Sequence, residues 1–309
     1  LTVNHINIHQ TTMTRDNTFS WNHSIPTNFN FKNINALIIG GTGGLGRAIS
    51  TQLIDAGANV TVIGQTMRDT ESDSLKFVKA DLSSMKNAKE VAKTLNDNGQ
   101  VKEFTHVIFT NGIFSSRTRQ ETAEGIERDM AISYLSRYAM LNDIKGNLTK
   151  SFNTGTADLK PRVFIMAYPG TNQLGNPDDM NAEPSTYSFL NAHMNTVAAN
   201  EALVLKVAKD SDNFNIYGLN PGLVKTGIRS NLYGQGFFAR QLENFMSFFQ
   251  QTPEVYASKM IPLFVAPDIE DRDGGMFDNK GEAILASKDL DVEKFWEGSA
   301  KLLEKALGK

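Results

Sequence analysis

No cysteine occurs among the 309 residues. Its absence excludes disulfides, cysteine-ligated zinc and a thiol nucleophile, and it fits a reducing compartment, so a cytoplasmic location is expected. Histidine is scarce: five in all, three of them (His5, His9 and His23) near the N-terminus. His5 and His9 have His-x-x-x-His spacing but lie in the polar N-terminal segment and do not suggest a metal, and no metal site is expected. No stretch approaches the ~18–20 apolar residues a membrane span needs, and the start lacks the apolar core of a signal peptide. The formal net charge of −3 argues against a general nucleic-acid or anionic-membrane surface. There is no repeat at solenoid period and no linker that would split the chain.

Residues 1–30 are polar, rich in Asn and Thr, and show neither helix nor strand period. A flexible or surface-draped extension is expected there. Arg15 is its one fixed positive charge, so it makes a poor mitochondrial presequence. Met13 reads as a natural start and residues 1–12 as an upstream addition. Trp21, Phe29 and Phe31 are candidates to pin the tail to the rest. Residues 31–309 read as one domain, and a content of 40% hydrophobic residues suffices for a substantial core.

From Ala36 onward strands and helices alternate. Strands are predicted at 36–39, 59–63, 77–80, 105–109, 162–166 and 214–219, with a short last one at 274–278. Helices are predicted at 44–56, 84–96, 122–148 (with a break near Gly125), 186–208, 253–266 and 291–307. This alternation implies right-handed crossovers and a parallel sheet covered on both faces. The fold class is α/β, a Rossmann-type doubly wound, mostly parallel sheet of about seven strands. Residues 227–265 include Phe237, Phe238, Phe245, Phe248 and Phe249. They read either as core or oligomer contact or as an apolar lid over a substrate pocket.

The most informative stretch is Ala36-Leu-Ile-Ile-Gly40-Gly-Thr42-Gly43-Gly44-Leu45-Gly46. A strand runs into a glycine-rich turn, and Arg47 onward has apolar residues at helical spacing. Glycines let a backbone approach a phosphate, and a helix N-terminus offers free N–H groups and a positive dipole end. The expected ligand is the pyrophosphate of a dinucleotide.

Further motifs follow in order: Asp81-Leu82 after the third strand, Thr110-Asn111-Gly112 after the fourth, Tyr187, and Pro221-Gly222-Leu-Val224-Lys-Thr226. Together with Gly40–Gly46 they resemble the short-chain dehydrogenase/reductase family over about residues 33–305. Thr252-Pro-Glu, Gly274-Gly-Met-Phe-Asp and Lys294-Phe-Trp-Glu-Gly-Ser299 look like its retinol-dehydrogenase-like and WW-domain-oxidoreductase-like branch, near atypical fungal members thought to be aldehyde reductases. The resemblance implies that Gly40, Gly44, Leu45 and Gly46, with Thr42 and Gly43, hold the pyrophosphate. It implies that Asp81 and Leu82 meet the adenine and that Thr110, Asn111 and Gly112 line the adenosine side. Pro221, Gly222, Val224 and Thr226 would hold the nicotinamide carboxamide and nearby phosphate.

At the end of the second strand no acidic residue occupies 63–67, where one would bind both ribose hydroxyls and select NAD. Gly64 leaves space, Gln65 can donate, and Arg68 can pair with a 2′-phosphate. NADP(H) is favoured and NAD(H) remains possible.

The resemblance also implies a tyrosine that passes a proton to the carbonyl, a lysine four residues later, a serine, and an asparagine on the preceding helix. Tyr187 is kept. The lysine position is Asn191, the serine region reads Ala167-Tyr168, and the asparagine position is Ser133. Tyr168 or Ser133 is expected to assist polarisation of the carbonyl. His193 falls about 240° around a helix from Tyr187 and reads as structural. Arg137 reads as a structural ion pair or a source of the missing positive charge. The expected function is NAD(P)H-dependent reduction of a small-molecule aldehyde or ketone. The alternatives are a non-catalytic cofactor-binding sensor or scaffold and a redox-neutral isomerase. A monomer or a homodimer is compatible with the sequence.

Overall fold

The computed structural model describes residues 13–183, 187–222 and 251–309. Ten strands occur among them: β1 Asn35–Ile39, β2 Asn59–Gly64, β3 Leu75–Lys79, β4 His106–Phe109, β5 Phe152–Asn153, β6 Asp158–Leu159, β7 Arg162–Met166, β8 Asn215–Leu219, β9 Met276–Phe277 and β10 Ala283–Ile284. Eight of them form one sheet in the order β10-β9-β8-β7-β4-β1-β2-β3. All neighbours in it are parallel except the β9–β10 pair. β5 and β6 form a separate small antiparallel hairpin.

The period of two along each strand sends alternate side chains to opposite faces. Leu37 and Ile39 of β1, Val107 and Phe109 of β4, and Val163 and Ile165 of β7 build one core. It is covered by helices α2 (Met85–Asp97), α4 (Ser136–Ile144), α5 (Phe189–Asp210) and α7 (Val292–Ala306). Ala36 and Ile38, Ile108, and Phe164 face the other way, onto α1 (Gly44–Asp55) and α6 (Pro253–Val265). Both faces are therefore dry, which is why the runs 36–39 of β1 and 107–109 of β4 are apolar.

The structure departs from the sequence reading at several elements. The pair β9–β10 raises the sheet from about seven strands to eight. Two-residue strands carry too little pattern to be read. The helix expected over 122–148 begins only at Arg128; Gly125 (φ +73°) sits in a turn before it, closed by the Glu121–Glu127 bridge. The element consists of α3 (Arg128–Met130), a π turn over Ala131–Leu135, and α4. The helix expected from 186 starts at Phe189, because the Ser188 hydroxyl caps it by accepting from Asn191 N–H. Pro253–Val265, at the end of the expected lid region, is a core helix packed on α1, with Tyr256, Met260 and Phe264 buried. Residues 227–250 of that region lie outside the described residues, as do Phe237, Phe238, Phe245, Phe248 and Phe249.

Residues 13–21 lie along the outer edge of β10. Leu285 N–H donates to Thr14 O and Asp16 N–H to Ala283 O, both at 2.9 Å. Trp21 is buried and donates from Nε1 to Gly281 O at 2.7 Å. Phe31 is also buried, with Phe29 edge-on to it.

Candidate functional site

The strand order reverses between β1 and β4, with β2 and β3 on one side and β7 to β10 on the other. A crevice opens outside the carboxyl ends at such a point. Two glycines set its floor. A Cβ on Gly40 (φ +88°) would come within 2.5 Å of Asn111 N, and one on Gly46 within 2.5 Å of Gly40 O and nearer still to Thr110 Oγ1. The loops after β1 and β4 thus pack backbone to backbone. Gly43 is the N-cap of α1, and no side chain caps the helix. Its first N–H groups, at the positive end of the dipole, are left to whatever enters the crevice.

The neighbouring strand ends bring the remaining candidates alongside. Thr42 fills the space over Gly64, where an added Cβ would come within 2.5 Å of Thr42 Oγ1. Arg68 is exposed, and its guanidinium lies 3.8 Å from where a Cβ on Gly43 would sit. The adjacent Asp69 is bound by Arg47 through two nitrogens. Gln65 donates from Nε2 to Asp81 Oδ1 at 2.9 Å. Partial burial pushes the Asp81 carboxyl up, but hydrogen bonds from Ser83 and Gln65, with Arg128 nearby, hold it below the ordinary value. Leu82 is buried.

After β4, Thr110 donates from Oγ1 to Ile39 O at 2.9 Å and ties the two loops together. The Asn111 side chain turns inward, donating to Ile132 O at 2.6 Å and Ser136 Oγ at 3.0 Å. Only its backbone is left to line the crevice. A Cβ on Gly112 would lie 3.4 Å from Ser133 Oγ. At the end of β8, Gly222 (φ +62°) follows Pro221, and its N–H donates to Asn220 Oδ1 at 3.0 Å. Val224 and Thr226 lie outside the described residues.

The expected catalytic residues are arranged otherwise than the sequence reading assumed. Tyr187 stands before the cap of α5, so the one-turn relation to Asn191 does not hold, and Asn191 is exposed. The Tyr187 hydroxyl donates to Ser116 O at 2.8 Å. Burial, with Glu127 and Asp129 nearby, pushes it up to about 12 against the opposing effects of Ser115 and Arg119. Tyr168 is half-buried just past β7, and its hydroxyl makes no hydrogen bond among the described residues. Ser133 lies in the π turn; its Oγ accepts from Ile113 N–H at 2.9 Å and donates to Asp129 Oδ1.

His193 is not placed apart from the site. Its Nδ1 meets Asp129 Oδ2 at 2.6 Å and its ring stacks on Phe114. The 240° estimate fails because Tyr187 is outside the helix. Arg137 is fully buried and pairs with no carboxylate among the described residues. It donates to Met166 O and Asn200 Oδ1 at 2.7 and 2.9 Å, and to Asn111 O. Burial lowers its pKa to about 9, with Asp129 opposing. Asn200 in turn donates to Ser133 O at 2.9 Å, one of the carbonyls of the π turn.

Sequence reasoning missed Ser115, Asp129 and Asn200. Asp129 lies one turn before Ser133 on the same helical element, the only signal that pointed to it. Its serine and histidine partners are 14 and 64 residues away.

Comparison with known proteins agrees with this architecture. An uncharacterized oxidoreductase of Saccharomyces cerevisiae is 48% identical over 298 residues, covering 95% of each chain. Polyprenol dehydrogenase of Danio rerio is 22% identical over 287 residues, covering 87% of this chain and 86% of that one. A solved short chain dehydrogenase from Shigella flexneri, complexed with NADP, superposes with a TM-score of 0.58 at 13% identity, covering 84% of this chain and 100% of that one. No family model matches the chain. With a near-complete relative at that identity and the doubly wound sheet in place, the chain belongs to the short-chain dehydrogenase/reductase family and is an oxidoreductase.

Proposed function

We propose that the protein reduces aldehydes or other carbonyls with a nicotinamide cofactor, NADP(H) in preference to NAD(H). The observation that carries this reading is the glycine turn at the β1–β4 reversal. Gly40 and Gly46, having no side chains, let its backbone pack directly against Asn111 N and Thr110 Oγ1, and it ends in the uncapped start of α1. Such a cradle fits a pyrophosphate. Gly40, Thr42, Gly43, Gly44, Leu45 and Gly46 would hold it, with Asp81 and Leu82 toward the adenine and Thr110 to Gly112 along the wall. Pro221 and Gly222, with Val224 and Thr226 beyond, are assigned to the nicotinamide end. Arg68 beside Gly43, with no acidic residue at 63–67, supports the preference for a 2′-phosphate.

The bound nicotinamide supplies the hydride. The chain supplies the proton and the orientation. Tyr187 keeps its proton to about pH 12, so it serves as a donor in reduction and is a poor base for the reverse reaction. To donate to substrate it turns from Ser116 O. Tyr168 and Ser133 are assigned to hold the carbonyl and the loop beside it. An apolar substrate is supported by one relative's name, which specifies polyprenol.

The test incubates purified protein with NADPH or NADH and a panel of aldehydes that includes an isoprenoid one, following nicotinamide absorbance. Carbonyl-dependent oxidation is the expected result. Tight cofactor binding without oxidation on any member would favour a non-catalytic binder, the reading that the exposed Asn191 at the lysine position supports.

A further inference from the structure

The loop that follows β7 carries Tyr168, and a buried carboxylate on α5 holds it. Glu201 is 1% exposed, and no basic side chain pairs with it among the described residues. Both its oxygens accept. Oε2 takes the Gly170 N–H at 3.1 Å and the Ser287 hydroxyl at 2.9 Å, and Oε1 takes the Ser287 N–H. The Ser287 hydroxyl accepts in turn from Asn172 N–H at 3.0 Å. The rest of the loop is tied as firmly. Thr171 donates from Oγ1 to Tyr168 O at 3.0 Å, and Asn220 donates from Nδ2 to Pro169 O at 2.9 Å. Gly170 (φ +74°) and Asn172 (φ +53°) stand in the left-handed region, and a Cβ on Gly170 would come within 2.9 Å of Leu285 O. Such a backbone persists where its surroundings over-determine it. Tyr168, Pro169, Gly170 and Asn172 thus each have a main-chain group tied, while the Tyr168 hydroxyl makes no hydrogen bond among the described residues. A buried charge without a counter-ion is costly, and neutral amides would suffice to close a loop, as Asn220 does at Pro169. Charge-assisted bonds are the stronger kind, and here all of them lead, directly or through Ser287, to the loop that carries Tyr168.

We propose that Glu201, with Ser287, is a positioning residue for carbonyl reduction: it fixes the 168–172 loop so that the Tyr168 hydroxyl is held ready for the carbonyl oxygen of the substrate. The proposal rests on the reductase reading above and on the place that reading gives Tyr168. β7 ends at Met166, at the carboxyl edge of the sheet where the crevice opens, and Tyr168 is the second residue past it. Ala167 N–H donates to Leu219 O at 2.9 Å, so the tied stretch runs unbroken from the strand into the loop. In reduction the carbonyl carbon takes the hydride pair, the C=O π pair moves to oxygen, and that oxygen takes the Tyr187 proton. Tyr168 keeps its own proton and donates a hydrogen bond to the oxygen as charge gathers there. A donor fixed beforehand costs no reorganisation at that moment, whereas a loose loop misplaces it. Glu201 acts only through Tyr168.

The test is a double-mutant cycle on the full chain: wild type, E201Q, Y168F and E201Q/Y168F, with S287A alone and S287A/Y168F as a milder pair. NADPH binding is followed by fluorescence and aldehyde reduction by nicotinamide absorbance. E201Q is expected to lower kcat/KM for the aldehyde about tenfold or more, and S287A about threefold. The Kd for NADPH is expected to stay within about twofold of wild type in both, because the loop lies on the carbonyl side. In the Y168F background each loss is expected to shrink below about twofold, since residues acting as one unit are not additive. Where E201Q fails to fold, the S287A pair takes its place. E201Q matching the wild type, a loss as large without the Tyr168 hydroxyl as with it, or no loss from Y168F overturns the positioning role and leaves the reductase reading standing. A wild type that binds NADPH and reduces no aldehyde overturns the reductase reading, and the positioning role with it.

Discussion

Glu127 gives a prediction whose sign and size both follow from the structure. It is 1% exposed and lies beside Asp129. One oxygen accepts from Met130 N–H at 2.8 Å, and its own N–H donates to Asn181 Oδ1 at 2.7 Å. Burial is the main reason its pKa rises to about 7 from an ordinary 4.5, with the Asp129 charge adding and Arg119 opposing. The folded protein thus keeps this proton to about pH 7, whereas the unfolded chain loses it near 4.5. The stability the raised pKa confers is complete below pH 4.5 and is lost as pH rises through 7. At 1.36 kcal/mol per unit the loss is about 3 kcal/mol.

Glu127→Gln keeps an acceptor for Met130 N–H and removes the titration. Urea unfolding of both proteins between pH 4.5 and 8 should show the glutamine variant gaining about 3 kcal/mol on the wild type across that window. The difference between the proteins is the quantity to read, because His106 titrates in the opposite sense over part of the same range. Parallel stability curves would refute the burial argument.

Three further outcomes are expected. Burial is the main force holding His106 down to about 3 from 6.5, so stability should fall from pH 6.5 toward 3 by up to about 5 kcal/mol, an acid limb that His106→Gln flattens in the same urea experiment. Gly46→Ala forces a Cβ to within 2.5 Å of Gly40 O. At about 1–3 kcal/mol for overpacking, NADPH binding followed by fluorescence should weaken roughly tenfold or more, and a Kd within twofold of wild type would contradict the close-packed turn. Arg68→Ala should weaken NADPH about tenfold by loss of a charge-assisted pair and leave NADH unchanged in the same titration; equal losses would remove Arg68 from cofactor choice.

What could be read in advance was what local physics repeats. The runs 36–39 of β1 and 107–109 of β4 are apolar because both faces of the sheet are covered. The turn at Gly40–Gly46 was legible because only glycine lets two backbones approach so closely. Helix starts were less legible. Ser188 caps α5 by accepting from Asn191 N–H, which takes Tyr187 out of the helix and voids the face argument for His193. Asp129 on a helix reads as a solvated carboxylate; its burial depends on serine and histidine side chains from other elements, which no local pattern encodes. The π turn over Ala131–Leu135 leaves no mark in composition, since Asn200, 67 residues on, satisfies the Ser133 carbonyl.

The strap of residues 13–21 against β10 joins the beginning of the described chain to a strand near its end. During synthesis that strap leaves the ribosome well before its seat, residues 281–285. Until then Trp21 has no Gly281 carbonyl to hold it, and a segment with β-pairing capacity waits without its partner. Closing so long a loop is slow relative to local contacts, and unpaired edges are prone to meet other chains. The order in which the molecule is made therefore leaves this strap waiting for its seat, and the sheet edge is sealed only when residues 13–21 meet residues 281–285.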